Sequence, residues 1–244
     1  MSQFMDMIRL PNYGLGVAKG QFDDITHNHV FGAVPAMSQN TTGTIWDVND
    51  TTYPWSTFDT AGTLSIPAVN ASDNGKSVVL VGLDSDYLEL SETVTVSSSG
   101  AITTTQSFKR INRAYITNGS ATNVGDIVIQ KGGTTVATIK VGKSQTLMSV
   151  YTVPAGKTGY IMKGTCTCQA GADATGEMFV RYFGEDSFRV GHSFEVSGTG
   201  GEYTYDFGVP FKVPEKSDID VRCSVRSNNA RVTAAFDMIL DEDN

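Results

Sequence analysis

From residue 63 onward, apolar and polar positions alternate with the two-residue period that places successive side chains on opposite faces of a β-strand. The runs SVVLVG (77–82), ELSETVTV (89–96), AITTTQSFKRINRAYIT (101–117), DIVIQ (126–130), TVATIKV (135–141), TLMSVYTV (146–153) and TGYIMKGTCTCQA (158–170) follow this pattern and are rich in β-branched residues. So do EMFVRYF (177–183), SFRVGHSFEV (187–196), EYTYDFGVPFKV (202–213), DIDVRCSV (218–225) and RVTAAFDMIL (231–240). Between them stand turn formers: Asp73-Asn74-Gly75, Lys131-Gly132-Gly133, Gly198 to Gly201, and Ser227-Asn228-Asn229. No window of about eleven residues or more carries a helical stripe. The pattern predicts an all-β fold, a jelly-roll-like antiparallel β-sandwich built as one large or two small β-domains.

Residues 1–42 break this rhythm. They are rich in Met and Gly, and Pro11 and Pro35 interrupt any regular element, so they are expected to form an extended, irregular arm that orders against neighbouring subunits. A first β-region is expected over 43–120 and a C-terminal β-sandwich over 121–244, with NGSATNVG (118–125) as either a boundary or a long loop inside one sandwich. The first β-region opens on GTIWDVNDTTYPWSTFD (43–59), which holds both tryptophans and reads as a loop packed against something.

Composition narrows the function. With 244 residues, 40% hydrophobic and 18% charged, the chain can bury a core without staples. Its formal net charge of -8, from 26 acidic and 18 basic residues, opposes a polyanion, so nucleic acid is not an expected partner. No segment approaches the ~18 consecutive apolar residues of a membrane helix. MSQFMDMIRL carries Asp6 and Arg9 within its apolar stretch and Pro11 follows at once, which is unlike a secretory signal, so synthesis in a cytoplasm and no membrane partner are expected. Three cysteines make no disulfide framework. Cys166 and Cys168 share one strand face, and all three thiols are expected to be reduced.

Several motifs imitate chemistry and fail on context. Gly142-Lys143-Ser144 and Gly156-Lys157-Thr158 are the endings of phosphate-binding loops, but position 137 is Ala and 151 is Tyr where each loop needs a glycine, and strand pattern follows instead of a helix. The two triplets are expected to bracket one strand of a β-hairpin, TLMSVYTV turning through Pro154-Ala155-Gly156-Lys157 into TGYIMKG. Gly14, Gly16 and Gly20 mimic a dinucleotide fingerprint without a preceding strand or a following helix. His27-Asn28-His29, with Asp23 and Asp24 near, lacks the frame of a metal nuclease. Cys166-x-Cys168 with Cys223 and His192 has the wrong spacing for structural zinc. Asp84, Asp86 and Glu89 fall where a hairpin turn is expected, short of the six or more oxygens that calcium recruits. Glu185 and Asp186 would serve a glycosidase only at a separation the sequence does not give. No catalytic, cofactor-binding or metal-binding residue is assigned on this basis, and no cofactor is expected.

Lys109, Arg110 and Arg113 form the basic cluster SFKRINR. On a regular strand Lys109 and Arg113 share a face with Ile111, and the cluster reads as a subunit contact or a solvated edge. Trp46, Tyr53, Trp55, Tyr203 and Tyr205 would stack on sugars if exposed, or pack in a core or interface if not.

The segments GTIWDVNDTTYPWSTFDTAGTL, SFKRINRAYIT, QTLMSVYTVPAGKTGYI, VPEKSDIDVR and VTAAFDMIL, in this order between residues 43 and 240, together resemble a family of virion structural proteins of tailed, often marine, bacteriophages. The resemblance implies a particle component located in the virion and brings no catalytic residue with it. Combined with compact size and no repetitive stalk, it leads to the expectation of a non-enzymatic capsid decoration or cement protein. The expected partners are the major capsid protein or other virion proteins, and copies of itself, as in a trimer. The alternative is a tail, adaptor, baseplate or glycan-binding receptor component; an enzyme is a third and weaker class.

Overall fold

The computed structural model describes residues 13–119, 122–197 and 201–242. A short helix α1 (Tyr13–Ala18) precedes β1 (Ile25–Met37) and β2 (Thr42–Thr44). Seven strands follow before residue 140: β3 (Ser65–Ile66), β4 (Ser77–Leu83), β5 (Glu89–Thr95), β6 (Ile102–Thr103), β7 (Arg110–Ile116), β8 (Ile127–Lys131) and β9 (Thr134–Ile139). The remainder is β10 (Val150–Thr152), β11 (Lys157–Cys168), β12 (Ala174–Arg181), β13 (Arg189–Val196), β14 (Glu202–Val213), β15 (Asp218–Val225) and β16 (Ala230–Glu242).

Two sheets form the larger unit, in the orders β1-β16-β11-β14 and β10-β15-β12-β13, with β2 also pairing β15. Numbered by their own succession along the chain, these eight strands run 1-8-3-6 in one sheet and 2-7-4-5 in the other. First strand beside last, second beside seventh, is a strip of antiparallel pairs rolled into two sheets: the jelly roll. The pattern that builds it is plain on β16, whose residues alternate buried and partly exposed along most of its length. Its inward side, Val232, Ala234, Phe236, Met238 and Leu240, meets Val30 and Val34 of β1 and Val221 of β15 in one buried cluster.

Residues 46–149 are inserted between the first and second strands of that roll, and β3–β9 all lie within them. They form the sheets β6-β3-β8-β9 and β5-β4-β7. A second buried cluster fills this insertion, with Trp46, Phe58, Leu80, Phe108 and Ile129 among its members.

Three expectations are corrected. First, residues 25–37 are not an irregular arm but the edge strand β1, paired with β16 from Ile25↔Asp241 to Met37↔Ala230. Pro35 read as a breaker, yet it sits where the register shifts between Val34 and Met37, and an edge strand tolerates proline at such a bulge. Residues 1–12 of the expected arm lie outside the described residues. Second, 118–125 is not a boundary between two β-regions, because residues on both sides of it belong to the insertion's cluster. Asp73 in the insertion accepts hydrogen bonds from the N–H groups of Val124 (2.9 Å) and Gly125 (2.8 Å). Third, β10 and β11 are not a hairpin. β10 pairs β15 in one sheet and β11 pairs β14 and β16 in the other, so the turn at Pro154–Gly156 carries the chain across the sandwich. The same turn chemistry, with Gly156 at φ 72°, serves an arch as well as a hairpin.

Gly32 marks a close approach. A β-carbon there would lie 2.2 Å from the Ile45 carbonyl oxygen and 2.2 Å from Ser149 Oγ, where the insertion leaves and re-enters the roll. We expect Gly32→Ala to lower stability by about 1–3 kcal/mol through overpacking against backbone that cannot step aside. Thermal unfolding of the variant beside Gly20→Ala checks this. Gly20 has no atom within 4 Å of a built β-carbon but a φ of 64°, so it isolates backbone strain from the steric clash.

Candidate functional site

The jelly roll and its insertion meet across a buried set of charged and aromatic side chains. Asp218 and Asp220 are two apart on β15 and therefore project from the same face of the strand. The Asp218 carboxylate, 3% exposed, receives Arg110 in a two-pronged arrangement: Nε at 2.8 Å and Nη2 at 3.0 Å. Arg110 comes from β7 in the insertion. Arg181 of β12 donates to the same carboxylate from Nε (3.1 Å) and Nη2 (2.6 Å), and Thr152 Oγ1 adds a bond of 2.6 Å. Asp220 accepts from Thr44 Oγ1 (2.8 Å), Trp55 Nε1 (2.9 Å) and Arg222 Nε (2.8 Å).

Aromatic rings close over the guanidinium groups. Arg110 lies 5.6 Å from the Trp55 ring and 5.4 Å from Tyr87; Arg181 lies 4.8 Å from Phe188 and Arg222 4.5 Å from Phe179. Planar, weakly hydrated guanidinium suits this double role of carboxylate fork and ring stack. Burial works against the Arg110 charge, but the hydrogen bond and charge of Asp218 outweigh it and hold the Arg110 pKa above its usual value. At Asp220 burial pushes the carboxyl pKa up, against the Arg222 charge and the hydrogen bonds from Trp55, Thr44 and Arg222. Five donors converge on Asp218 and three on Asp220, so these carboxylates are enclosed and saturated. Their chemistry is to hold two β-units in one register.

The basic cluster is therefore split by the structure. Arg110, expected at a solvated edge or a subunit contact, is buried at 5% exposure and belongs to the joint. The register of β7 against β4 shifts between Val81 and Gly82, making Asn112 an extra residue, so Arg113 no longer shares the face of Ile111. Trp46, Tyr53 and Trp55 are at most 6% exposed, and no sugar can stack on them. Tyr205 is 40% exposed and Tyr203 half-buried, and both rings lie near His192, whose Nε2 is 3.0 Å from the Tyr203 hydroxyl.

The other singled-out residues stay apart. His27 and His29 both reach Asp237 Oδ1, at 3.3 and 2.7 Å. The three cysteines are free and buried, with burial pushing the Cys223 thiol up to about 12. Among the described residues no group of three or more His, Cys, Asp or Glu is placed to hold a metal ion. Asp84 Oδ1 accepts from the N–H groups of Asp86 and Leu88, both at 2.9 Å, which is a self-capped turn. Glu185 pairs with Arg189 at 2.7 Å. Gly142 (φ 73°) and Ser144 (φ 58°) form the turn after β9, and Lys157 pairs with Glu89 at 2.9 Å. Gly14 and Gly16 fall inside α1, a helix not expected from the pattern, rather than in a loop leading into one.

Asp218, Asp220, Arg181 and Arg222 were not singled out by the sequence reading. One signal was present: in DIDVR (218–222) charged residues of both signs occupy every second position of an otherwise apolar strand, which marks a buried charged face.

No protein-family model matches the sequence, and no curated protein sequence matches it. Among solved structures the chain is similar at 8% identity to the cowpea mosaic virus top component, naturally occurring empty particles, with a TM-score of 0.25 over 73% of this chain and 82% of that one. Infectious bursal disease virus VP2 subviral particle is similar at 8% identity and TM-score 0.22, over 90% and 73% of the two chains. Broad bean stain virus is similar at 12% identity and TM-score 0.18, over 76% and 86%. No helix among the described residues is long and apolar enough to cross a membrane.

Proposed function

We propose that the chain is a non-enzymatic structural component of a virus particle, and within it a capsid decoration or cement protein of a tailed bacteriophage. It binds the major capsid protein and copies of itself, as in a trimer, through protein–protein contacts. The observation that carries this reading is where the family-like segments meet. Thr44 and Trp55 come from the first of them, Arg110 from SFKRINRAYIT, Thr152 from QTLMSVYTVPAGKTGYI, and Asp218, Asp220 and Arg222 from VPEKSDIDVR. All seven residues converge on the joint. Four of the five segments are thus used to lock two β-units together, as expected of a protein whose work is to present fixed surfaces to neighbours. The apolar positions left outside, Val209 at 85%, Phe183 at 60% and Val190 at 51% exposure, supply material for such contacts, which bury about 1,200 Å² or more when stable.

Mass spectrometry of purified particles, separated into heads and tails, tests the proposal. The protein is expected in the head fraction at a copy number comparable to that of the major capsid protein. Its absence from particles overturns the virion reading; its presence in tails alone overturns the decoration reading and leaves the tail component.

A further inference from the structure

On another side of the junction the two units stand apart and leave a cleft of about 620 Å³. One wall is the outer edge of β1, where residues 26–31 line it in unbroken succession; the facing wall comes from β4 and β7 of the insertion. We propose that this cleft binds a carboxylate-bearing sugar residue, such as a sialate or a uronate at the end of a glycan. The inference does not depend on the virion reading.

Three observations carry it. The first is an uncompensated cation. Arg110, Arg181, Arg189, Arg222 and Arg226 each lie within 4.0 Å of a carboxylate. Arg113, which lines the cleft and is exposed, has no carboxylate within that reach among the described residues and lies 4.8 Å from the Tyr115 ring. The neighbouring Lys157 is already engaged by Glu89 at 2.9 Å.

The second is a pair of side-chain amides. Asn28 on the β1 wall and Gln145 both line the space, and an amide group offers a donor and an acceptor of the kind that sugar hydroxyls use.

The third is the apolar remainder. Val81, Leu83 and Met148 line the cleft beside Tyr115 and Phe31, interleaved with polar side chains that include Thr26, His27, His29, Thr146 and Glu89. Such a lining suits an organic body with ring C–H faces and several oxygens, and the volume falls in the usual range of about 300–1,000 Å³ for small-ligand sites. One uncompensated guanidinium matches one carboxylate. A polyanion would meet the field of a chain with net charge -8.

Isothermal titration calorimetry of the full chain with 3′-sialyllactose, digalacturonate, lactose and inorganic phosphate tests the site. At least one of the two carboxylated sugars is expected to bind with a Kd in the millimolar range or tighter, with lactose at least about tenfold weaker, a gap of ~1.4 kcal/mol. Arg113→Gln is expected to weaken that binding about tenfold or more while leaving the unfolding midpoint in place. Arg231→Gln, which alters an arginine away from the cleft, is expected to leave it unchanged. Lactose binding as well as the acids, phosphate binding more tightly than either acid, Arg113→Gln without effect, or no heat from any probe at 10 mM, taken as roughly the weakest useful affinity, each overturns the proposal.

Discussion

Replacing Asp218 by Asn is expected to lower the unfolding free energy by about 3–5 kcal/mol, because it leaves the buried Arg110 guanidinium and the partly buried Arg181 guanidinium facing a neutral amide. Arg110 and Arg181 both point their forks at this one carboxylate, and Arg110, with 6% of its side chain exposed, has almost no water to turn to. Arg110→Ala is expected to cost a similar amount, since it removes the charge that joins the insertion to Asp218 and leaves that buried carboxylate with Arg181 and Thr152 alone. The two changes made together should cost clearly less than their sum, as groups sharing one network do. Urea unfolding of the single and double variants measures this. A loss of about 1 kcal/mol or less for either single change, the range of an exposed ion pair, would show that the joint does not hold the two units.

The second large effect depends on pH and belongs to Asp47. This carboxyl is 4% exposed at the start of the insertion; Oδ2 accepts from the Leu147 N–H at 3.3 Å and Oδ1 has no partner. Burial raises its pKa from 3.8 to about 7, against the lowering by backbone hydrogen bonds. Between those two values the folded chain keeps a proton that the unfolded chain has released, so stability falls as pH rises through this window and levels off above it. About three pH units correspond to roughly 4 kcal/mol. Asp47→Asn cannot lose that proton. Its stability relative to the parent is expected to rise from pH 4 to pH 7 and to stay higher at pH 8, as read from chemical denaturation at each pH. Parallel curves for parent and variant would contradict the assignment.

The strand pattern made the fold class legible, since β15 and β16 alternate inward and outward much as written in DIDVRCSV and RVTAAFDMIL. Strand partners were not legible. The Pro154–Gly156 turn is compatible with a hairpin or with an arch, and only the long-range pairing of β10 with β15 and β11 with β16 decides between them. The edge strand β1 was hidden by Pro35, which sits at a bulge, and by a richness in glycine that includes Gly32 at a close backbone approach. The joint was half visible. Trp46 and Trp55 announced a packed loop, whereas Arg110 could not be placed without its partner Asp218, 108 residues away. Local sequence gives a strand's facing, and a buried ion pair between distant strands is a property of topology. The one-residue bulge in β7 shows how little it takes to reverse such a reading, because it moved Arg113 off the face of Ile111 and into the cleft.

Cryo-electron microscopy of intact phage particles tests the central claim most directly. The account predicts repeated density on the outer face of the head that fits the jelly roll and its insertion as one rigid body, with the joint around Asp218 continuous between them. Particles whose heads carry no such density, or a fit that requires the two units to be separated at the joint, would contradict it.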